Sequence, residues 1–235
     1  MKATAVRRSR RIKTIGERTG AWGRVSKIGV IGGTFDPIHY GHLFAAEEAR
    51  SQLGLERVIF VPSGTPPHKR YDDMATAEER YEMTLLAISD SFAPQFDITR
   101  IEIERSGKSY TLDTLRELKR FFSRAEIHFI VGLDAILDIM SWHEPYKIAE
   151  AAQLTVVSRP GYPRDKIEEL PAEIRKSTTL IDSLQLDISG TDLRKRIRSG
   201  RSVKYLLPDP VWTYIQRNRL YRTDNLNDHP DGDAK

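Results

Sequence analysis

Gly32-Gly33-Thr34-Phe35-Asp36-Pro37-Ile38-His39-Tyr40-Gly41-His42 follows the apolar run Ile28-Gly29-Val30-Ile31 and leads into Leu43-Phe44-Ala45-Ala46-Glu47-Glu48-Ala49. A buried strand, a glycine turn and a helix with two histidines in its first turn are written into these residues. Gly32 and Gly33 permit positive φ and lack the Cβ that would hold a ligand off the backbone. The helix start offers unpaired N–H groups and the positive end of its dipole to an anion. His39 and His42 are three apart and share a helix face, with Gly41 opening space between them for a bulky polyphosphate. Imidazole can donate hydrogen bonds to phosphoryl oxygens and changes protonation near neutral pH. The pair could instead ligate a metal, but that needs a third or fourth ligand. With no Cys in the chain and only His68 nearby, no metal residues are assigned. The histidines could also simply cap and pack, which the glycine turn and preceding strand argue against.

The chain has 235 residues, enough for one large core, and a formal net charge of +4. That charge is misleading. Nine Lys/Arg against the single acid Glu17 lie in residues 1–27, leaving 28 of 37 basic and 32 of 33 acidic residues in 28–235. The body is therefore acidic, and the positive excess is a detachable arm over 1–25, expected to be disordered. A nucleic-acid module would need its basic residues on a folded face. Through this Arg-rich arm it remains a rival of a different class, and nucleic acid is not the expected partner. The arm resembles an organelle transit peptide in composition but is too poor in apolar residues for a persuasive amphipathic helix, and it lacks the apolar stretch of a signal peptide. No apolar run approaches a membrane span, and the absence of Cys fits a reducing cytoplasm. Residues 26–222 form the expected folded domain, and the polar, acidic 223–235 a frayed tail.

Val58–Val61, Ile98–Ile103, Ile127–Val131 and Leu154–Val157 read as further strands. Thr76-Ala77-Glu78-Glu79 is a capping box for a helix through Ala87, and Ser141-Trp142-His143-Glu144 has the same pattern. Apolar spacing predicts helices over Thr111–Phe122, Leu193–Ser199 and Val211–Asn218. The alternation implies an α/β fold, a Rossmann-like doubly wound parallel sheet with helices on both faces. Ligands in such sheets sit beyond the carboxyl ends of the strands, where the glycine turn lies. Ser189-Gly190-Thr191-Asp192-Leu193-Arg194 is a second phosphate element: an N-cap, a close-approach glycine and an arginine one turn in. A plain N-cap with a solvated basic face is the alternative. Pro62-Ser63-Gly64-Thr65-Pro66-Pro67-His68-Lys69 is a stiff polar loop at a strand's carboxyl end, and Ser109-Tyr110-Thr111 offers an N-cap to the next helix. Trp142 could stack on a ligand ring or pack in the core.

These motifs together resemble the H-x-G-H nucleotidyltransferase superfamily and, within it, the bacterial nicotinate-nucleotide adenylyltransferases. The resemblance runs from residue 28 to about 221 and also rests on Gly132-Leu133-Asp134, Arg159-Pro160-Gly161 and Tyr205-Leu206-Leu207-Pro208. It implies adenylyl transfer from ATP to nicotinate mononucleotide, releasing pyrophosphate, with Mg²⁺ entering with ATP. Another transferase of the superfamily, such as pantetheine-phosphate adenylyltransferase, is the runner-up. The resemblance implies that His39 and His42 hold the ATP phosphates and stabilise the transition state, and that Ser189, Thr191 and Arg194 bind the β- and γ-phosphates. Gly132 and Asp134 would contact the adenylate, and Gly32, Gly33, Thr34, Phe35 and Ile188 would complete the ATP site. Thr34 and Lys69 would meet the mononucleotide phosphate, with Trp142 stacked on the pyridine ring and backbone near Thr111 and His143 accepting its carboxylate. Asp36, Ser63, Tyr110 and Arg159 fall in the same subsite. The family's second motif usually has a serine where this chain has Gly190. A homo-oligomer is compatible with this picture.

Overall fold

A computed structural model describes residues 25–66, 74–89, 94–158, 165–184 and 186–222. The arm apart from Val25, the tail, Lys69, His68 and Arg159 lie outside the described residues. Val25 packs against the core, so the fold includes one residue of the expected arm.

Six strands form one sheet: β1 (Lys27–Gly33), β2 (Arg57–Pro62), β3 (Phe96–Ile98), β4 (Glu126–Gly132), β5 (Gln153–Ser158) and β6 (Thr178–Asp182). Their order is β3-β2-β1-β4-β5-β6, and every pairing is parallel. This is the doubly wound α/β order expected above. The chain leaves β1 toward β2 and later crosses to β4 on its other side, so the order reverses at β1 and opens a crevice there. The inner strands are almost continuously apolar, Val58 to Val61 and Ile127 to Val131 being buried, because helices cover both faces.

One face carries α1 (Tyr40–Leu53), α2 (Ala77–Ile88), α8 (Gly190–Arg198) and α9 (Asp209–Arg217), packed with Ile31, Phe60 and Ile130. The other carries α3 (Thr111–Phe121), α4 (Leu133–Leu137), α5 (Pro145–Ala151) and α7 (Ala172–Lys176), packed with Val30, Phe129 and Val156. A short α6 (Asp165–Glu168) precedes α7. The capping box at Thr76 forms as expected: Glu79 N–H donates to Thr76 Oγ1 at 3.3 Å, and Thr76 N–H donates to Glu79 Oε2 at 2.8 Å.

Three local expectations fail. The strand expected over Ile98–Ile103 ends at Ile98, since Thr99 Oγ1 accepts from Ile101 N–H and Glu104 N–H donates to the Arg100 carbonyl, closing a turn. The capping box at Ser141 does not form. The Ser141 hydroxyl bonds back to Asp138, and the helix starts instead at Pro145, whose fixed φ suits a first helical position. Strand β6 was not expected at all. It is a short edge strand, half-exposed over Thr178–Leu180, so it lacks the apolar run that marks the inner strands.

Candidate active site

The glycine turn ends β1 and delivers His39 as the N-cap of α1 and His42 as its third residue. Their rings stack, with centroids 3.7 Å apart, and the edge of His42 meets Phe35 at 5.0 Å. His39 N–H donates to His42 Nδ1 at 3.3 Å, which makes Nε2 the hydrogen-bearing nitrogen of the neutral ring. Burial pushes the pKa of His39 down to about 4. In the unliganded protein His39 is therefore neutral at pH 7, and a nearby polyphosphate would raise its pKa again.

The glycines act differently from the expectation. Gly32 and Gly33 stay in the strand, and the left-handed residue of the turn is Phe35, at φ 50°. The missing Cβ of Gly33 makes room for the Phe35 ring, which a Cβ would approach to 2.9 Å. The space at Gly41 is taken up by the His39 imidazole, 3.0 Å from where a Cβ would lie.

Arg194 reaches this turn from α8. Its Nη1 donates to the Asp36 carbonyl at 2.6 Å and lies 3.6 Å from Asp36 Oδ2. Ser189 caps α8, accepting from Asp192 N–H at 3.1 Å while its hydroxyl donates to the Asp192 carboxylate. The capping alternative for Ser189 is thus realised. Asp36 is buried, and its Oδ1 accepts from Tyr221 OH at 2.6 Å and from Ala75 N–H at 3.2 Å. It lines the cavity, but its carboxylate is part of the scaffold.

The Pro62–Pro66 segment is gripped from several sides. Ser63 N–H donates to the Gly33 carbonyl, and Ser109 Oγ accepts from both Gly64 and Thr65 N–H. Ser109 therefore pins this loop, and the N-cap of α3 is Tyr110, without a side-chain cap bond. Buried Arg80 donates to the carbonyls of Thr34, Gly64 and Ala75 at 2.8–3.1 Å. Buried Glu102 accepts from Thr114 Oγ1 at 2.7 Å, and burial pushes its pKa up against the bonds from Thr114 and Ser109. Sequence reasoning missed both residues. Arg80 carried a signal, since it shares the buried stripe of α2 with Met83, Thr84 and Ala87, where an arginine must find acceptors. Glu102 was masked by the false strand.

A cavity of about 980 Å³ joins these groups, near the upper end of the small-molecule range. Every described residue assigned above lines it: Gly32, Gly33, Thr34, Phe35, Asp36, His39, His42, Ser63, Tyr110, Thr111, Gly132, Asp134, Trp142, His143, Ile188, Ser189, Thr191 and Arg194. Ser63 Oγ is buried in this cavity without a hydrogen-bond partner, whereas His39 and His42 close a reciprocal capping box, so the capping alternative for the histidines is realised too. Half-buried Trp142 packs edge-on to Phe129 at 6.2 Å and also borders the cavity. Tyr110 and His143 pair their rings at 4.5 Å beside it.

Residues 30–196 match the Cytidylyltransferase-like family. A protein of Moorella thermoacetica named probable nicotinate-nucleotide adenylyltransferase is 45% identical over 204 residues, 85% of this chain and 93% of its own length. One of the same name from Thermus thermophilus is 46% identical over 83% of this chain and 100% of its own. The chain belongs to the nicotinate-nucleotide adenylyltransferases. The fold agrees. The Plasmodium falciparum nicotinic acid mononucleotide adenylyltransferase complexed with NaAD superposes with a TM-score of 0.68 at 22% identity, covering 83% of this chain and 97% of that one. In this adenylyltransferase the two histidines, the turn and Arg194 line the cavity from the side of α1 and α8, and Tyr110, Trp142 and His143 from the side of α3 and α5. Among the described residues no helix is long and apolar enough to cross a membrane.

Proposed function

We propose that the protein transfers the adenylyl group of ATP to nicotinate mononucleotide, and that the residues of this cavity carry the reaction. An oxygen of the mononucleotide 5′-phosphate attacks the α-phosphorus of ATP, a new P–O bond forms, and the bond to the β-phosphate oxygen breaks to release pyrophosphate. A phosphate monoester has a second pKa near 6, so the nucleophile is already mostly a dianion and needs no general base. The protein's part is to position the reactants and stabilise charge. The single observation that carries this reading is the stacked His39–His42 pair at the start of α1, beside Arg194 and in one cavity with Trp142.

His42, with Nε2 as the hydrogen-bearing nitrogen, and His39 serve as donors to the phosphoryl oxygens. Arg194 and the first amides of α8 take the β- and γ-phosphates, and Thr191 adds a hydroxyl. Gly132 and Asp134 meet the adenylate. Thr34, Ser63 and Lys69 receive the mononucleotide phosphate, while Trp142 faces the pyridine ring and Thr111 and His143 take its carboxylate. Mg²⁺ is brought by ATP. The ion is then held mainly by phosphates and water.

Pyrophosphate release, measured with ATP, Mg²⁺ and either nicotinate mononucleotide or its amide, tests the proposal. Turnover of the nicotinate form is expected. If neither mononucleotide is turned over, the reading is wrong.

A further inference from the structure

We propose that Tyr221 is a positioning residue for the phosphate end of the cavity, acting through Asp36 on Arg194. The inference deepens the proposed function and rests on it for the role of Arg194.

Tyr221 does not line the cavity and is 5% exposed, so it does not touch substrate. Its hydroxyl donates to Asp36 Oδ1 at 2.6 Å, the short length of a charge-assisted bond to a carboxylate. It arrives from the last described turn of the chain, 185 residues beyond Asp36, and its backbone is left-handed at φ 62°, two residues after the equally left-handed Arg219. Non-glycine residues hold such conformations only where the surroundings over-determine them. Burial of the ring and the bond to Asp36 are what hold Tyr221 there.

The geometry around Asp36 gives the bond its consequence. Arg194 Nη1 bonds the Asp36 backbone carbonyl at 2.6 Å and stays 3.6 Å from the carboxylate. Tyr221 OH and Ala75 N–H both bind Oδ1, turning the carboxylate toward the C-terminal segment and the start of α2. Asp36 therefore anchors Arg194 twice, through its carbonyl and through a buried ion pair with Oδ2. Tyr221 and Ala75 hold Oδ1 and leave Oδ2 facing Arg194, so the hydroxyl fixes the residue on which the guanidinium is seated. Gly190 permits the same arrangement: a Cβ there would lie 2.9 Å from the Asp36 carbonyl oxygen and 3.5 Å from Arg194 Nη1. The departure from the family's usual serine thus falls at the closest approach of α8 to this contact.

Tyr221→Phe deletes the hydroxyl and keeps the ring. Calorimetric binding of inorganic tripolyphosphate is expected to weaken about 3- to 10-fold, less than the loss of a direct hydrogen bond to a charged group because Tyr221 acts through Asp36. In the turnover assay kcat should fall by a similar factor, while KM for nicotinate mononucleotide moves less than about twofold. Thr155→Val is the control. Thr155 is buried, contacts His128 Nδ1 at 3.3 Å and does not line the cavity, so its loss lowers stability alone. Unchanged tripolyphosphate binding in Tyr221→Phe overturns the inference, and so does equal weakening in Thr155→Val. If the wild type fails to turn over either mononucleotide, the functional proposal falls, while the binding comparison still decides the role of Tyr221.

Discussion

The two ends of the cavity are built on opposite principles. At the histidine end His39, Asp36 and Arg194 are each less than 10% exposed, Arg194 is tied to Asp36, and the His39 backbone N–H holds the His42 ring. At the aromatic end Trp142 and Tyr110 are half-buried, and the His143 side chain is 50% exposed. Donors fixed before the reaction stabilise developing charge without reorganising, which is where such groups act most strongly. A ring that only has to be recognised needs a wall, and a wall tolerates freedom. The comparison teaches that changes at the buried end should alter kcat and stability, and changes at the open end should alter KM.

The sharpest break is His42→Ala. Removing one preorganised donor should lower kcat by about 10²–10³, with little change in the KM for nicotinate mononucleotide. Steady-state kinetics decide it, and a near-normal rate would remove His42 from the mechanism.

His39 gives the next largest effect, read through pH. Its folded pKa of about 4 lies below the unfolded value of 6.5, so the unfolded state binds the extra proton. The stability that the neutral ring contributes is fully present above pH 6.5 and is lost as pH falls toward 4, up to about 3 kcal/mol at 1.36 kcal/mol per pKa unit. Burial also lowers the pKa of His128, which adds acid lability of the same sign. Urea melts of wild type and His39→Asn at about pH 7 and about pH 4.5 isolate the His39 share, which the variant should lack.

At the open end, Trp142→Ala should raise the KM for nicotinate mononucleotide by up to about tenfold and leave kcat within a fewfold, the size of one aromatic contact. An equal loss in kcat would mean that both ends are rigid parts of one site. The smallest effect belongs to Ser109→Ala, which strips an acceptor from Gly64 and Thr65 N–H. About 1 kcal/mol of stability and a two- to threefold rise in the same KM are expected from thermal melts and kinetics.

Much of this was legible in the chain because it depends on local spacing. The apolar run before Gly32 marks an inner strand, the 39/42 histidines mark a helix start, and Thr76/Glu79 writes its own capping box. Local reasoning failed where a remote partner decided the outcome. Ser141 has the pattern of a cap, yet Asp138 claims its hydroxyl and Pro145 starts the helix. Ser109 also has the pattern of a cap and instead holds a loop 45 residues away. β6 carries no strong apolar signature because its position at the sheet edge defines it.

By itself the sequence determined the alternation of strands and helices, the place of the glycine turn and a mostly polar subset of the residues that border the cavity. Those follow from periodicity, capping and residue chemistry, which act over a few positions. Only the tertiary structure decided which polar groups are anchored and by what. Asp36 became a scaffold residue because Tyr221 and Arg194 converge on it, His39 became neutral because the fold buries it, and Arg80 found its three carbonyls on three separate segments. Hydrogen bonding and desolvation depend on what surrounds a group in space, and here those neighbours come from up to 185 residues away.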